Sequence, residues 1–172
     1  MIAGGSASDD PESEIILEDI YTMTRDDEDI HILNLSLVNR TENYTEVNAL
    51  QRAATVIMQP STREGFGLVI TEALWKAKPV IAGNVGGISF QIKKGHTGYF
   101  YQNPIRTAEK IIYLLDNPRA AERIGKRGKK YVQDHFLIVD RITDYLMAIE
   151  ITKNSAVNRR KLAECVTGFH PW

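Results

Sequence analysis

Two acids, Glu64 and Glu72, flank a glycine-bearing segment, Gly65-Phe66-Gly67-Leu68, in a chain that otherwise offers few reactive side chains. An ionised carboxylate is an acceptor only, so it suits the hydroxyls of a sugar ring or of a ribose. The segment reads as a loop, Ser61 to Leu68, that joins a buried strand to a helix. That spacing puts Glu64 at the loop tip and Glu72 two turns down the helix. The glycines let the backbone approach a ligand closely. Free N–H groups at the helix start favour an anion such as a diphosphate. A lone pair of acids at this spacing is better read as two unrelated surface residues. What narrows the reading is the glycine segment beside it and a second pair, Gly86-Gly87, just beyond the next strand.

Other chemistry-bearing residues fall away. His31, His96, His135 and His170 are scattered and read as surface or capping side chains. Cys165 is the single cysteine, so no internal disulfide forms, and no Cys/His spacing resembles a zinc site. The run Lys126-Arg127-Gly128-Lys129-Lys130 reads as a solvated helix face, and Trp75 as a packed residue within an apolar helix.

Elements must position the two loops. Ile2-Ala3-Gly4-Gly5 reads as the end of a buried strand entering a glycine turn. Asp9 and Asp10, then Pro11, Glu12 and Glu14, carry helix-start signals, and Ile15, Ile16, Ile20 and Met23 follow at helical spacing. Residues 30–35 read as a strand and 44–54 as a helix. A second buried strand is expected at 55–59, an amphipathic helix at 66–76 and a third strand at 79–82. A turn at 95–98 precedes a short strand at 99–101, and helices are expected at 104–116, 118–134 and 139–153. Strands alternating with helices imply an α/β fold, a doubly wound parallel sheet with helices on both faces. Ligands bind such sheets beyond the carboxyl ends of the strands, where both glycine loops fall.

The chain has 172 residues, 43% hydrophobic and 25% charged, which suits one globular domain over about 1–152 with a tail at 153–172. Its net charge of −1 argues against bulk nucleic-acid binding. The balance hides an asymmetry: residues 1–72 hold 14 acids and 4 bases, and residues 73–172 hold 8 and 17. Opposite charges meeting across the fold explain this as well as a basic face for a phosphorylated ligand does. No run approaches the roughly 18 apolar residues of a membrane span. The first residues have no basic start, so a cytoplasmic setting is expected.

The stretch REGFGLVITEALWKAKPVIAGNVGGI resembles the donor-site signature of retaining glycosyltransferases built from two Rossmann-like halves. GGSASDDPES, EVNALQRAATVIMQPSTREGFGL, ALWKAKPVIAGNVGGISFQI and GHTGYF bring the likeness closest to archaeal trehalose synthases. The resemblance runs from about residue 1 to 151. It implies that Glu64 meets the hydroxyls of the transferred glucose at the catalytic centre and Glu72 the ribose. The backbone of Gly65, Phe66, Gly67 and Leu68 would hold phosphate and sugar beside Gly86 and Gly87. The base would lie near Asn34, Leu35 and Ser36. Many relatives carry an acid soon after the second glycine pair; here Ser89-Phe90-Gln91 stands, which again looks like the trehalose-synthase type. The implied reaction moves glucose from a nucleoside diphosphate glucose to an acceptor such as glucose, with retention and with neither metal nor cofactor.

Measured against that family, the chain starts one strand and helix into the donor half, and an N-terminal acceptor half is not in it. The expectation is a donor domain that transfers no sugar alone. In a sheet of order 3-2-1-4-5-6 the gap would be filled by a parent chain, by residues 168–172, or by a second copy in a homo-oligomer. A non-catalytic nucleotide-sugar-binding or scaffold module is the rival reading. An NAD-binding domain is disfavoured, since no G-x-G-x-x-G follows the first strand.

Overall fold

The computed structural model describes residues 1–4, 11–35 and 40–153. Ser36, Cys165 and the segment 168–172 lie outside the described residues. The chain forms two compact units, Met1–Ala53 and Ala54–Trp172.

In the first unit, β1 (Ile2–Gly4) and β2 (Ile32–Asn34) are parallel, with Ile2 opposite Ile32 and Gly4 opposite Asn34. The crossover between them carries α1 (Pro11–Thr24), as a parallel pair requires, and α2 (Arg40–Ala53) follows. The Thr24 hydroxyl donates to the Ile20 carbonyl at 2.7 Å in the last turn of α1. The chain then turns back through Asp27, whose Oδ1 accepts the Asp29 N–H at 3.0 Å. The expected buried strand at Ile2-Ala3 is instead exposed along its length. Two strands of three residues leave an edge on each side and too narrow a surface to cover.

In the second unit, β3 (Ile57–Gln59), β4 (Val80–Ala82) and β5 (Tyr99–Phe100) run parallel in the order β3-β4-β5. Ile2 and Ala3 thus pair with Ile32 and Leu33, and Ile57 with Val80. The central strand β4 is wholly buried. Side chains alternate across a strand, so its residues divide between two cores. Val80 and Ala82 pack with Ile70, Ala73 and Leu74 of α3 (Leu68–Trp75) and with Ile88, Ile92 and Val132. Ile81 packs with Leu114 of α5 (Pro104–Asp116) and with Ala121 and Ile124 of α6 (Pro118–His135). Helices therefore cover both faces. The last described helix is α7 (Ile138–Lys153).

The elements differ from expectation mainly at their ends. α3 starts at Leu68 rather than 66, because Gly67 takes a φ of +85° that no helix accommodates. The second helix begins earlier, at Arg40, and the strand expected at 55–59 is shorter. A four-residue helix, α4 (Ile88–Gln91), follows the second glycine pair in a stretch for which the sequence suggested no element. Trp75 is 44% exposed rather than packed, with Lys129 Nζ 5.5 Å from its ring centre. Ile70, Ala73 and Leu74 take the inward face of α3, and Trp75 lies about 100° around the helix from Leu74.

Candidate functional site

β3 ends at Gln59, whose carbonyl accepts the Gly83 N–H at 2.9 Å. Beyond this bond the chain leaves the sheet as two adjacent loops, one after β3 and one after β4. They press against each other. A Cβ on Gly86 would stand in the Glu64 carbonyl, and Gly86 also has a φ of +47°. A Cβ on Gly87 would lie 2.7 Å from Phe66 Cα. The Gly87 N–H donates to the Gly65 carbonyl at 2.7 Å. One residue on, the fully buried Gln91 donates its amide to the Phe66 carbonyl. Two successive carbonyls of the first loop are thus held by the second. The second loop is tied in turn to α6, where the Tyr131 hydroxyl donates to the Phe90 carbonyl at 3.0 Å. Burial raises the pKa of Tyr131 above the ordinary tyrosine value.

Pinning the loop carbonyls aims its other groups outward. Glu64 is half-buried, and both of its oxygens are engaged: Oε1 accepts the Gly65 N–H at 3.0 Å and Oε2 accepts the Gln59 amide at 3.1 Å. A carboxylate has about four lone-pair directions, so two remain for a ligand. Gly67 caps α3 with no side-chain hydrogen bond. The first turn of that helix therefore presents backbone N–H groups of the kind that bind anions. Glu72 is half-buried just over one turn along α3. Phe66 is 43% exposed, its ring edge-on to Phe136 at 6.0 Å.

The structure thus brings together Glu64, Gly65, Phe66, Gly67 and Leu68 with Gly86 and Gly87, and puts Glu72 on the helix they open. Asn34 and Leu35 belong to the first unit, where with Leu33, Glu42, Glu46 and Leu50 they border a hollow of about 460 Å³. Ser36 is outside the described residues. Two site residues were not anticipated from sequence as structural partners, Gln59 and Gln91. The available signal was a polar residue closing an otherwise apolar strand and another inside an apolar stretch. In the basic run of α6, Lys126, Arg127 and Lys130 are exposed as expected, with Lys130 2.6 Å from Asp134 and Lys126 paired to Glu122, whereas Gly128 is buried and Lys129 half-buried. Among the described residues no group of three His, Cys, Asp or Glu side chains could hold a metal ion. A helix start with no side-chain cap bond, beside a fixed carboxylate, suits a ligand that joins an anion to hydroxyls.

Comparison with known proteins identifies the family. The family model described as "Glycosyl transferases group 1" matches residues 32–131. Trehalose synthase from Pyrococcus horikoshii is 43% identical over 147 residues, covering 85% of this chain and 34% of the relative. The chain thus spans about a third of the length of that relative. Among solved structures, sucrose-phosphate synthase from Thermosynechococcus elongatus superposes with a TM-score of 0.70 at 26% identity, covering 90% of this chain and 38% of that one. Anabaena HepE in complex with UDP-glucose superposes with a TM-score of 0.69 at 19% identity, over 85% of this chain and 40% of its own. These neighbours carry the same parallel α/β architecture. With the family model spanning more than half of the residues and a relative above 40% identity over most of them, the chain belongs to the group 1 glycosyl transferases.

Proposed function

We propose that this chain is the donor half of a retaining glycosyltransferase and binds a nucleoside diphosphate glucose. The transferred glucose would pass to an acceptor such as a second glucose, giving trehalose. The observation that carries the reading is the Gly65–Leu68 loop, seated on Gly86-Gly87, with the Glu64 carboxylate fixed at the open start of α3. In this assignment the first-turn N–H groups of α3 meet the diphosphate, where backbone dipoles stabilise the charge that grows as the leaving group departs. Glu64 accepts hydroxyls of the glucose and Glu72 those of the ribose. No metal or cofactor is assigned a part. The likeness to trehalose synthase and the UDP-glucose bound by HepE support the substrate class.

The test is calorimetry on the purified chain with UDP-, ADP- and GDP-glucose. One of the three is expected to bind. Glu72→Ala is expected to weaken that binding by about 1–3 kcal/mol, because a buried hydroxyl pair loses a charged acceptor. Unchanged affinity in Glu72→Ala removes the ribose role. Absence of binding by all three overturns the donor-site reading.

A further inference from the structure

Gln59 closes β3, and its amide nitrogen is committed to two neighbours. Nε2 donates to Glu64 Oε2 at 3.1 Å and lies 3.3 Å from Ser61 Oγ. Its other polar atom, Oε1, is buried and has no partner. A buried acceptor left unpaired is unfavourable, and a simple rotation of the amide would expose it to the Ser61 hydroxyl. That rotation would also set Oε1 against the Glu64 carboxylate, acceptor against acceptor. The amide is held in the one orientation that gives Glu64 a donor, at the expense of its own carbonyl.

We infer that Gln59 is a positioning residue that fixes the Glu64 carboxylate for the sugar portion of the donor. The inference rests on the assignment of Glu64 to the glucose hydroxyls. Without Gln59, Glu64 keeps only the Gly65 N–H, a bond to the next residue in the chain. Its carboxylate then rotates about its side-chain torsions, and a ligand must order it again on binding. The geometry of the loops does not depend on this bond, because Gly87 and Gln91 hold the carbonyls of Gly65 and Phe66 separately. Gln59 therefore acts on the sugar and not on the diphosphate.

The experiment compares wild type with Gln59→Leu and Gln59→Glu on the full chain, titrating the nucleoside diphosphate glucose that binds and its nucleoside diphosphate alone. Gln59→Leu is expected to lose about tenfold in affinity for the sugar nucleotide, the scale of one charge-assisted hydrogen bond, and less than twofold for the diphosphate. Gln59→Glu sets a second carboxylate against Glu64. Its sugar-nucleotide affinity is expected to recover as pH falls toward 5, where one shared proton restores a donor. Equal losses for both ligands, or no loss for either, overturn the inference, as does a Gln59→Glu profile parallel to wild type. A ligand-free measurement separates this outcome from that of the donor-site reading. In the ¹H–¹⁵N spectrum the Gly65 amide is expected to move upfield in Gln59→Leu as its carboxylate partner loosens, while the Gly87 amide stays. If wild type binds none of the ligands, the donor-site reading fails, and an unmoved Gly65 amide independently overturns the role of Gln59.

Discussion

A methyl group on Gly87 has nowhere to go, since its Cβ would sit 2.7 Å from Phe66 Cα and 2.8 Å from the carbonyls of Gly65 and Phe66. These neighbours are backbone, and backbone cannot rotate aside as a side-chain end can. Gly87→Ala must therefore part the two loops, breaking the Gly87 N–H bond to Gly65. Overpacking of this kind costs about 1–3 kcal/mol, and a thermal melt of the variant should show a lowered midpoint. Affinity for nucleoside diphosphate glucose should fall with it, because the same displacement moves Glu64. A Gly87→Ala chain with wild-type melting and binding would mean that the loops are not held as described. At this scale the glycine pairs and both acids could be read as a constellation from their spacing. Gln91 could not, because its hydrogen bond to Phe66, 25 residues away, leaves no periodic trace, and Gln59 could not, because its bond to Glu64 runs from a strand end into an irregular loop with no repeating spacing.

α3 and α6 meet through glycine. A Cβ at Gly125 would stand in the Ala77 carbonyl, and one at Gly128 would be 2.6 Å from Leu74 Cδ2. Ala77, just past the end of α3, has a φ of +57°, so its carbonyl is turned toward α6 at some backbone cost. Glycine inside a helix normally costs about 0.5–1 kcal/mol relative to alanine. Gly125→Ala should reverse that sign, because the clash with a fixed carbonyl exceeds the gain in helix propensity. Chemical denaturation should show a net loss of about 1–3 kcal/mol; a stabilised variant would mean that the two helices can part freely. Gly128→Ala should be milder, since the Leu74 side chain can change rotamer. Local signals were plain for some elements. Asn103 followed by Pro104 opens α5 at the expected residue, with Asn103 Oδ1 accepting the Arg106 N–H at 2.9 Å. Those for α4 were faint, because a helix of four residues has too few turns to show a period.

For the whole molecule, catalysis of transfer requires an acceptor held in line with the donor, which is worth far more than binding either alone. The chain spans about a third of the trehalose synthase it resembles. We predict that the purified chain binds nucleoside diphosphate glucose and forms no trehalose when glucose is added, as followed by chromatography of the products. Trehalose above the no-protein control would show that residues 1–172 hold an acceptor site of their own. Among the described residues no helix is long and apolar enough to cross a membrane.

Sequence alone determined the alternation of strands and helices, the order in which they come and the two glycine loops, because each is written in local periodicity or local turn chemistry. It also carried the family, through a motif whose residues lie within one continuous stretch. Tertiary structure alone decided which face of β4 each core takes, where Trp75 points, and that Ile2-Ala3 is exposed rather than buried. It alone showed that the Glu64 carboxylate has a partner at the end of a strand and that Gln91 holds the loop that Glu64 opens. The physical reason is range. A period or a cap depends on residues three or four apart, whereas burial and side-chain hydrogen bonding depend on which elements the folded chain sets side by side.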